Sequence, residues 1–229
     1  MPENAFLSDL NDDLIKTYTA VRDINDQVIN CLKQWPVNET EYYRIRSSEP
    51  QTAAERAARF IYLNHTSFNG IYRVNRNGQY NVPYGKKDNF IFNYSSIERA
   101  GKALAKAKLS TSSFEVTLDE IHEGELVFLD PPYTVAHNNN GFIEYNKNLF
   151  SLEDQYKLKR YIQAVDSRGA FYLLTNAAHP TIEHIFRDCG SIITLNRASN
   201  LGGKQAKRGL VSEFIITNIP RGDANELGG

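Results

Sequence analysis

A short apolar run that ends in an acid and two prolines constrains the fold of this chain more than any other stretch. It reads Glu125-Leu-Val-Phe-Leu-Asp130-Pro131-Pro132-Tyr133. Proline has no backbone N–H and a fixed φ, so a strand formed by the apolar residues must end before Pro131. Asp130 is therefore predicted at the carboxyl end of a buried strand, which is where open α/β sheets bind ligands.

The residue types at 130–133 suit the binding of a planar amine. The Asp130 carboxylate and the Pro131 carbonyl are hydrogen-bond acceptors, and the Tyr133 ring is a flat surface on which a heterocycle can stack. A strand followed by a Pro-Pro turn without a function fits the tetrapeptide alone equally well. The neighbouring segments therefore have to decide between the two readings.

Composition places the chain among ordinary globular proteins and gives no sign of a membrane or metal role. Of the 229 residues, 41% are hydrophobic and 23% are charged. No apolar run is long enough to span a bilayer, and the N-terminus has no basic, apolar leader. Cys31 and Cys189 have neither a disulfide framework nor metal-ligand spacing. These features favour a cytoplasmic protein without a metal.

Charge is segregated along the chain although the net charge is only −1. Residues 71–110 contain eight Lys or Arg and two acids, a balance of +6, and residues 115–130 contain six acids and neither Lys nor Arg. Residues 197–208 add four more cations. Such segregation indicates a localised surface for a polyanion such as nucleic acid, although a charged stretch is more often simply solvated.

The N-terminal residues predict a strand followed by a helix. Residues 5–8 have strand character, and apolar residues then recur at helical spacing from Leu14 to Trp35. Asp9 lies at the tip of the strand, where an acid often binds a ribose in nucleotide sites. An N-cap role for Asp9 or for Asn11 is an equally good reading.

The middle of the chain predicts two helices with a basic hairpin between them. The helices are expected at 53–64 and 95–108, and Asn77-Gly78 is a strong hairpin signal. Aromatic, Asn and Arg side chains in the hairpin suit stacking on bases and reading their edges, whereas a purely structural hairpin is the alternative. Further on, we expect a lid at 134–148, helices at 151–169 and 179–186, and strands at 171–174, 191–195 and 211–217.

Several ordered motifs resemble the Dam-like group of adenine-N6 DNA methyltransferases. Asp-Pro-Pro-Tyr at 130–133 resembles the catalytic motif of enzymes that methylate an exocyclic amine from S-adenosylmethionine. Residues 7–15 look like the second strand with its acidic cofactor contact. Residues 62–73 and 81–86 look like the target-recognition insert, Ser112-Ser113-Phe114 matches a cofactor-adenine position, and 213–218 matches the closing strand.

The resemblance implies a role for each matched position. Asp130 and the carbonyl of Pro131 would accept hydrogen bonds from the two N–H groups of the adenine amine. Tyr133, which follows Pro132, would stack on the flipped base. Asp9, Ser113, Phe114 and Asp130 would bind S-adenosylmethionine. The DNA contacts implied by the match or by the basic character of these segments are Phe68, Asn69, Ile71, Arg73, Arg76, Pro83, Lys86, Arg197, Lys204 and Arg208.

The implied fold is a Rossmann-like α/β methyltransferase sheet with a helical and hairpin target-recognition insert. Residues 1–36 and 109–229 would form the catalytic domain, and residues 37–108 the DNA-binding insert. The family normally begins with a basic segment and a glycine loop on a first strand, and neither is found in these residues. We therefore expect a truncated or mis-started prophage-type methylase, or a partner chain that completes the cofactor site.

Two other functions remain open on the sequence alone. A catalytically silent DNA-binding remnant, or a subunit that needs a partner, would explain the missing glycine loop. A methyltransferase acting on RNA or protein amines usually opens the tetrad with Asn, so Asp130 and the basic hairpin disfavour it. The sequence predicts double-stranded DNA as the substrate without giving the recognition site.

Overall fold

The computed structural model describes residues 4–75, 77–132, 150–198 and 210–220. The chain packs into two compact units, Met1–Phe114 and Glu115–Gly229. The elements of the first unit are, in chain order, β1 (Ala5–Asp9), α1 (Asp12–Asp23), α2 (Asn25–Gln34), α3 (Glu39–Ser47), α4 (Ala53–Thr66), a 3-10 turn (Phe68–Gly70), α5 (Tyr94–Leu104) and β2 (Ala107–Thr111). A 3-10 helix (Phe114–Glu120) is followed by β3 (Leu126–Leu129), α6 (Leu152–Ser167), β4 (Phe171–Ala177), α7 (Pro180–Phe186), β5 (Ser191–Ala198) and β6 (Leu210–Thr217).

The first unit combines a two-stranded parallel sheet with a helical core. β1 and β2 pair in register, with Ala5 opposite Ala107 and Asp9 opposite Thr111. Buried tyrosines tie the hairpin region to the helices, because each hydroxyl donates to a backbone carbonyl: Tyr42 to Val82 at 2.8 Å and Tyr80 to Ile71 at 2.8 Å. Burial raises the pKa of the Tyr42 hydroxyl, which keeps it protonated as a donor.

The second unit contains a four-stranded sheet in the order β3-β4-β6-β5. β3 is parallel to β4, and β6 runs antiparallel to both of its neighbours. The side chains of Tyr172, Leu174 and Ile216 are almost completely buried on one face of this sheet, and α6 packs against β4. None of the described helices is both long and apolar enough to span a bilayer.

β3 is formed as the sequence predicts, but it lies at an edge of its sheet instead of being buried. Among the described strands it pairs with β4 alone, and the side chains of Leu126 and Phe128 remain 60% and 64% exposed. A parallel strand normally has both faces and both edges covered. The side chains of β3 are therefore more open than its apolar sequence predicted.

Two element predictions are wrong. The single helix expected from Leu14 to Trp35 breaks at Ile24, whose φ of −140° is not helical. At this break α5 crosses closely, and a Cβ on Gly101 would lie 2.6 Å from the Val21 carbonyl oxygen. Residues 107–108, expected at the end of a helix, begin strand β2, because pairing with β1 outweighs the helical propensity of Ala and Lys.

Most of the remaining elements are confirmed to within a few residues. The stretch before residue 53 contains a helix, α3, that its polar sequence did not indicate. The lid expected at 134–148 lies outside the described residues. The assignment of 1–36 and 109–229 to a single catalytic domain stays a prediction.

Candidate active site

Asp130 lies immediately after β3 with an exposed side chain. Its position follows from the register of the sheet. Leu129 is opposite Leu174, so Asp130, the residue after β3, lies beside Thr175. The Thr175 hydroxyl donates to Asp130 Oδ1 at 2.5 Å. One carboxylate oxygen is therefore engaged by the neighbouring strand at the carboxyl end of two parallel strands.

The prolines of the tetrad follow in the described part of the chain, and Tyr133 lies outside it. Pro131 is half-buried and Pro132 is exposed. The strand ends at Leu129, as expected when the residues that follow cannot donate to a ladder.

β4, which supports Asp130, is fixed from both sides. It pairs with β3 and β6, and Thr175 is opposite Ile215. The next residue, Asn176, is completely buried, and its amide donates to Gln155 Oε1 on α6 at 2.9 Å. The support for Asp130 is thus a central strand anchored to a helix.

Asp9 lies at the carboxyl end of β1, in the first unit, with an exposed side chain. Its Oδ1 accepts the N–H of Asn11 at 2.7 Å, and the side chain of Asn11 accepts the N–H of Leu14 at 3.2 Å. The N-cap of α1 is therefore Asn11, so the alternative in which Asp9 itself caps the helix is excluded. Asp9 shapes the turn before the cap.

The Ser112-Ser113-Phe114 segment begins beside Asp9. Because β1 and β2 are parallel and in register, the N–H of Ser112 donates to the Asp9 carbonyl at 3.1 Å. The hydroxyl oxygen of Ser112 is buried and has no hydrogen-bond partner among the described residues. The exposed Asp9 carboxylate at the end of β1 suits a polar ligand such as a ribose.

Phe68 and Asn69 lie in a tight turn at the end of α4. Asn69 and Gly70 both have left-handed backbone conformations, with φ of +56° and +63°. The turn is clamped to a second segment, because the N–H of Phe68 donates to the Pro83 carbonyl and the N–H of Gly85 donates to the Thr66 carbonyl, both at 2.9 Å. The Phe68 side chain is 54% exposed, which leaves its ring available to a partner.

Gly85 is needed at this clamp because of its neighbours. A Cβ at this position would lie 2.5 Å from the Ser67 carbonyl oxygen and 2.9 Å from the Thr66 carbonyl oxygen. Both are backbone atoms that cannot move aside like a flexible side chain. The glycine therefore permits the close approach of the two segments.

The hairpin predicted from Asn77-Gly78 is present. Val74 and Tyr80 form an antiparallel bridge, and Gly78 has a φ of +76°. Arg73 is exposed, and its Nε donates to Asn81 Oδ1 at 2.8 Å across the base of the hairpin.

The other predicted DNA contacts divide into described and undescribed positions. Pro83 and Lys86 are exposed, whereas Ile71 is half-buried and packs against the core of the first unit. Arg197 lies in β5, and its side chain lies outside the described part of the structure. Arg76, Lys204 and Arg208 also lie outside the described residues.

Sequence reasoning gave no role to three residues near these sites. Thr175 and Asn81 hold predicted site residues. His65 stacks on Phe90 at 5.7 Å between ring centroids. The signal available for Thr175 was a polar residue at the carboxyl end of a second strand. In the described part of the chain, no His, Cys, Asp and Glu side chains cluster in a way that could hold a metal ion.

A family model described as D12 class N6 adenine-specific DNA methyltransferase matches residues 1–201 of the 229. The chain belongs to this family. The D12-class methyltransferase is 34% identical over 228 residues to the type II methyltransferase M1.LlaDCHI of Lactococcus lactis subsp. cremoris, covering 95% of this chain and 80% of the relative. It is 31% identical over 233 residues to the type II methyltransferase M.MjaIII of Methanocaldococcus jannaschii, covering 94% of this chain and 80% of the relative.

A third relative has the name of the predicted activity. The DNA adenine methylase of Vibrio cholerae is 27% identical over 226 residues, which is 95% of this chain and 81% of that protein. The predictions of the Dam-like family, of adenine-specific DNA methylation and of a mixed α/β fold are confirmed. The roles of individual residues in this methyltransferase stay predictions.

Proposed function

We propose that this D12-class enzyme methylates the N6 amine of an adenine flipped out of duplex DNA, in the cytoplasm, with S-adenosylmethionine as donor. The observation that carries the proposal is the exposed Asp130 carboxylate at the carboxyl end of β3, anchored through one oxygen to Thr175. That arrangement leaves the second oxygen to accept a hydrogen bond from an amine.

The amine needs acceptors because its lone pair is delocalised into the adenine ring and is a poor nucleophile. Asp130 and the carbonyl of Pro131 accept hydrogen bonds from its two N–H groups, which favours a tetrahedral nitrogen whose lone pair is out of conjugation with the ring. Tyr133 stacks on the flipped base and orients it. S-adenosylmethionine supplies an electrophilic methyl group when bound, and alignment of the two reactants accounts for much of the rate.

The donor contacts in this proposal are Asp9, Ser113, Phe114 and Asp130. The exposed Asp9 carboxylate is free of the capping role and suits a ribose hydroxyl pair. The N–H of Ser112, which donates to the Asp9 carbonyl, holds the segment that leads to Ser113 and Phe114 next to Asp9.

We assign the duplex contacts to the first unit and to the late basic segment. Phe68 and Asn69 enter the duplex beside the flipped base, whereas Ile71 and Arg73 read bases, with Arg73 on a guanine. Pro83, Lys86 and Arg76 also contact the duplex, and Arg197, Lys204 and Arg208 contact phosphates.

A second candidate function is a DNA-binding subunit that needs an added segment or partner chain to bind the donor. Among the described strands β3 pairs with β4 alone and leaves Leu126 and Phe128 exposed, which favours it. An exposed apolar edge offers its backbone groups to a further strand. Such a strand beside Asp130 would complete the cofactor site.

Calorimetric titration of the purified chain separates the two functions. An autonomous enzyme is expected to release or absorb heat with S-adenosylmethionine, and Asp9→Ala should remove that heat without changing duplex affinity. Duplex binding that persists without any donor heat would contradict autonomous activity and favour the subunit.

A further inference from the structure

Thr175 makes a direct side-chain contact with Asp130 that the proposed roles do not use. Its hydroxyl lies 2.5 Å from Asp130 Oδ1 and 3.4 Å from the Leu129 carbonyl oxygen. The shorter distance is that of a hydroxyl that donates to a carboxylate oxygen, and the longer one is a weak contact. The hydroxyl therefore donates mainly to Asp130 Oδ1.

We propose that Thr175 is a positioning residue that fixes the plane of the Asp130 carboxylate for methyl transfer. This inference rests on the proposed role of Asp130. Rotation of a carboxylate about its last side-chain bond is soft, so an exposed Asp samples a broad range of orientations. A donor on Oδ1 limits that rotation and directs Oδ2 towards the place of the amine.

The position of Thr175 is itself well determined. It lies on a strand paired on both sides, between the fully buried Leu174 and Asn176. The β-branched side chain has few rotamers, and Asn176 ties the strand to Gln155. A donor on such a rigid element holds its acceptor better than a donor on a loop does.

The competing explanation is that the hydrogen bond only helps to hold β3 beside β4. The two explanations differ in what they predict for stability. Because Asp130 is exposed, loss of the bond leaves no buried group unpaired, so stability should change little. A positioning role predicts that the chemical step suffers instead.

The test compares Thr175→Val, which keeps the shape but removes the hydroxyl, with Thr175→Ser, which keeps the hydroxyl. Single-turnover methylation of a cognate duplex at saturating S-adenosylmethionine reports the chemical step. Thr175→Val should lower that rate by about tenfold to a hundredfold, and Thr175→Ser should stay within about fivefold of wild type. Duplex affinity and the melting temperature should not change by a comparable amount.

Controls separate a failure of this inference from a failure of the proposed role of Asp130. Thr194→Val makes the same substitution at an exposed threonine of β5 and should leave the rate unchanged. An unchanged rate in Thr175→Val, or equal losses in the valine and serine variants, would overturn the positioning role. If Asp130→Asn itself methylates at the wild-type rate, the role of Asp130 is wrong and the inference falls with it.

Discussion

At the scale of single residues, the arginine predicted to read a base is already oriented by its neighbour. Arg73 donates through Nε to Asn81 Oδ1 at 2.8 Å and reaches the Asn81 carbonyl with a second nitrogen at 3.4 Å. Two of its five donors are therefore engaged, and the rest of the guanidinium fork is free to face a guanine.

Arg73→Ala should relax sequence preference more than it weakens binding. A lost bidentate contact costs about 1–3 kcal/mol of discrimination, which corresponds to roughly tenfold to a hundredfold less preference for the cognate duplex. Methylation rates on a cognate and on a one-base-altered duplex measure this preference. The control is Arg44→Ala, which removes an exposed arginine that forms an ion pair with Glu41. A uniform loss on both duplexes would mean that Arg73 binds phosphate instead.

His65 gives the molecule a predicted acid sensitivity. Partial desolvation and the nearby Lys87 lower the pKa of the exposed His65 side chain from its ordinary 6.5, so the folded state binds fewer protons than the unfolded chain near that pH. The unfolded state then binds more protons. The contribution of His65 to the free energy of unfolding is fully present above pH 6.5 and is lost as the pH falls below it.

Urea unfolding at pH 7.5, 6.5 and 5.5 checks this dependence. The free energy of unfolding should fall less steeply below pH 6.5 in His65→Gln than in wild type, whereas His184→Gln, on α7 of the second unit, should follow wild type. Identical slopes for His65→Gln and wild type would show that His65 is not responsible.

Sequence reasoning located Asp130 and Asp9 but not the residues that hold them. A strand that ends at two prolines is local information, so the position of Asp130 was predictable. The contact from Thr175 depends on the register between strands 45 residues apart, which no local pattern contains. In the same way, only the observed bond to Leu14 identifies Asn11 rather than Asp9 as the helix cap.

At the scale of elements, the turn at Phe68–Gly70 is held by the hydrogen bonds between the end of α4 and residues 83–85, which form the clamp described above. Local signals predicted α4 and the hairpin, because a helical pattern of apolar residues and an Asn-Gly turn act over a few residues. Strand β2 was missed in part because its pairing with β1 joins residues about a hundred positions apart. The clamp also joins residues that are not neighbours in the sequence, the end of α4 and residues 83–85, so no local pattern predicted it.

Gly85→Ala should damage this clamp. The added Cβ would overlap two backbone oxygens, and overpacking of this kind costs about 1–3 kcal/mol or moves the segments apart. Because Phe68 is positioned by the same clamp, duplex affinity should fall about tenfold or more, together with a lower melting temperature.

Gly78→Ala is the matched control for that variant. No atom lies within 4 Å of its added Cβ, so its cost comes only from the positive φ and is about 1–2 kcal/mol. Duplex affinity should suffer less than in Gly85→Ala. Wild-type affinity in Gly85→Ala would contradict the role of the clamp in presenting Phe68.

At the scale of the whole molecule, the distribution of charge agrees with the proposal that the first unit binds DNA and the second unit provides the catalytic acid. The basic residues 71–110 belong to the first unit, which presents Phe68 and Arg73, and the catalytic acid belongs to the second. Among the described strands, β3 pairs with β4 alone next to Asp130. Membership of the D12-class family accounts for the adenine-N6 chemistry.

Identification of the methylated base in duplex DNA tests the central claim most directly. After incubation with isotopically labelled S-adenosylmethionine, nuclease digestion and mass spectrometry should find the label as N6-methyladenine for wild type and no label above background for Asp130→Ala. Duplex affinity of the variant should remain near wild type. Labelled N6-methyladenine from Asp130→Ala at the wild-type rate, or a label on another base, would contradict the account.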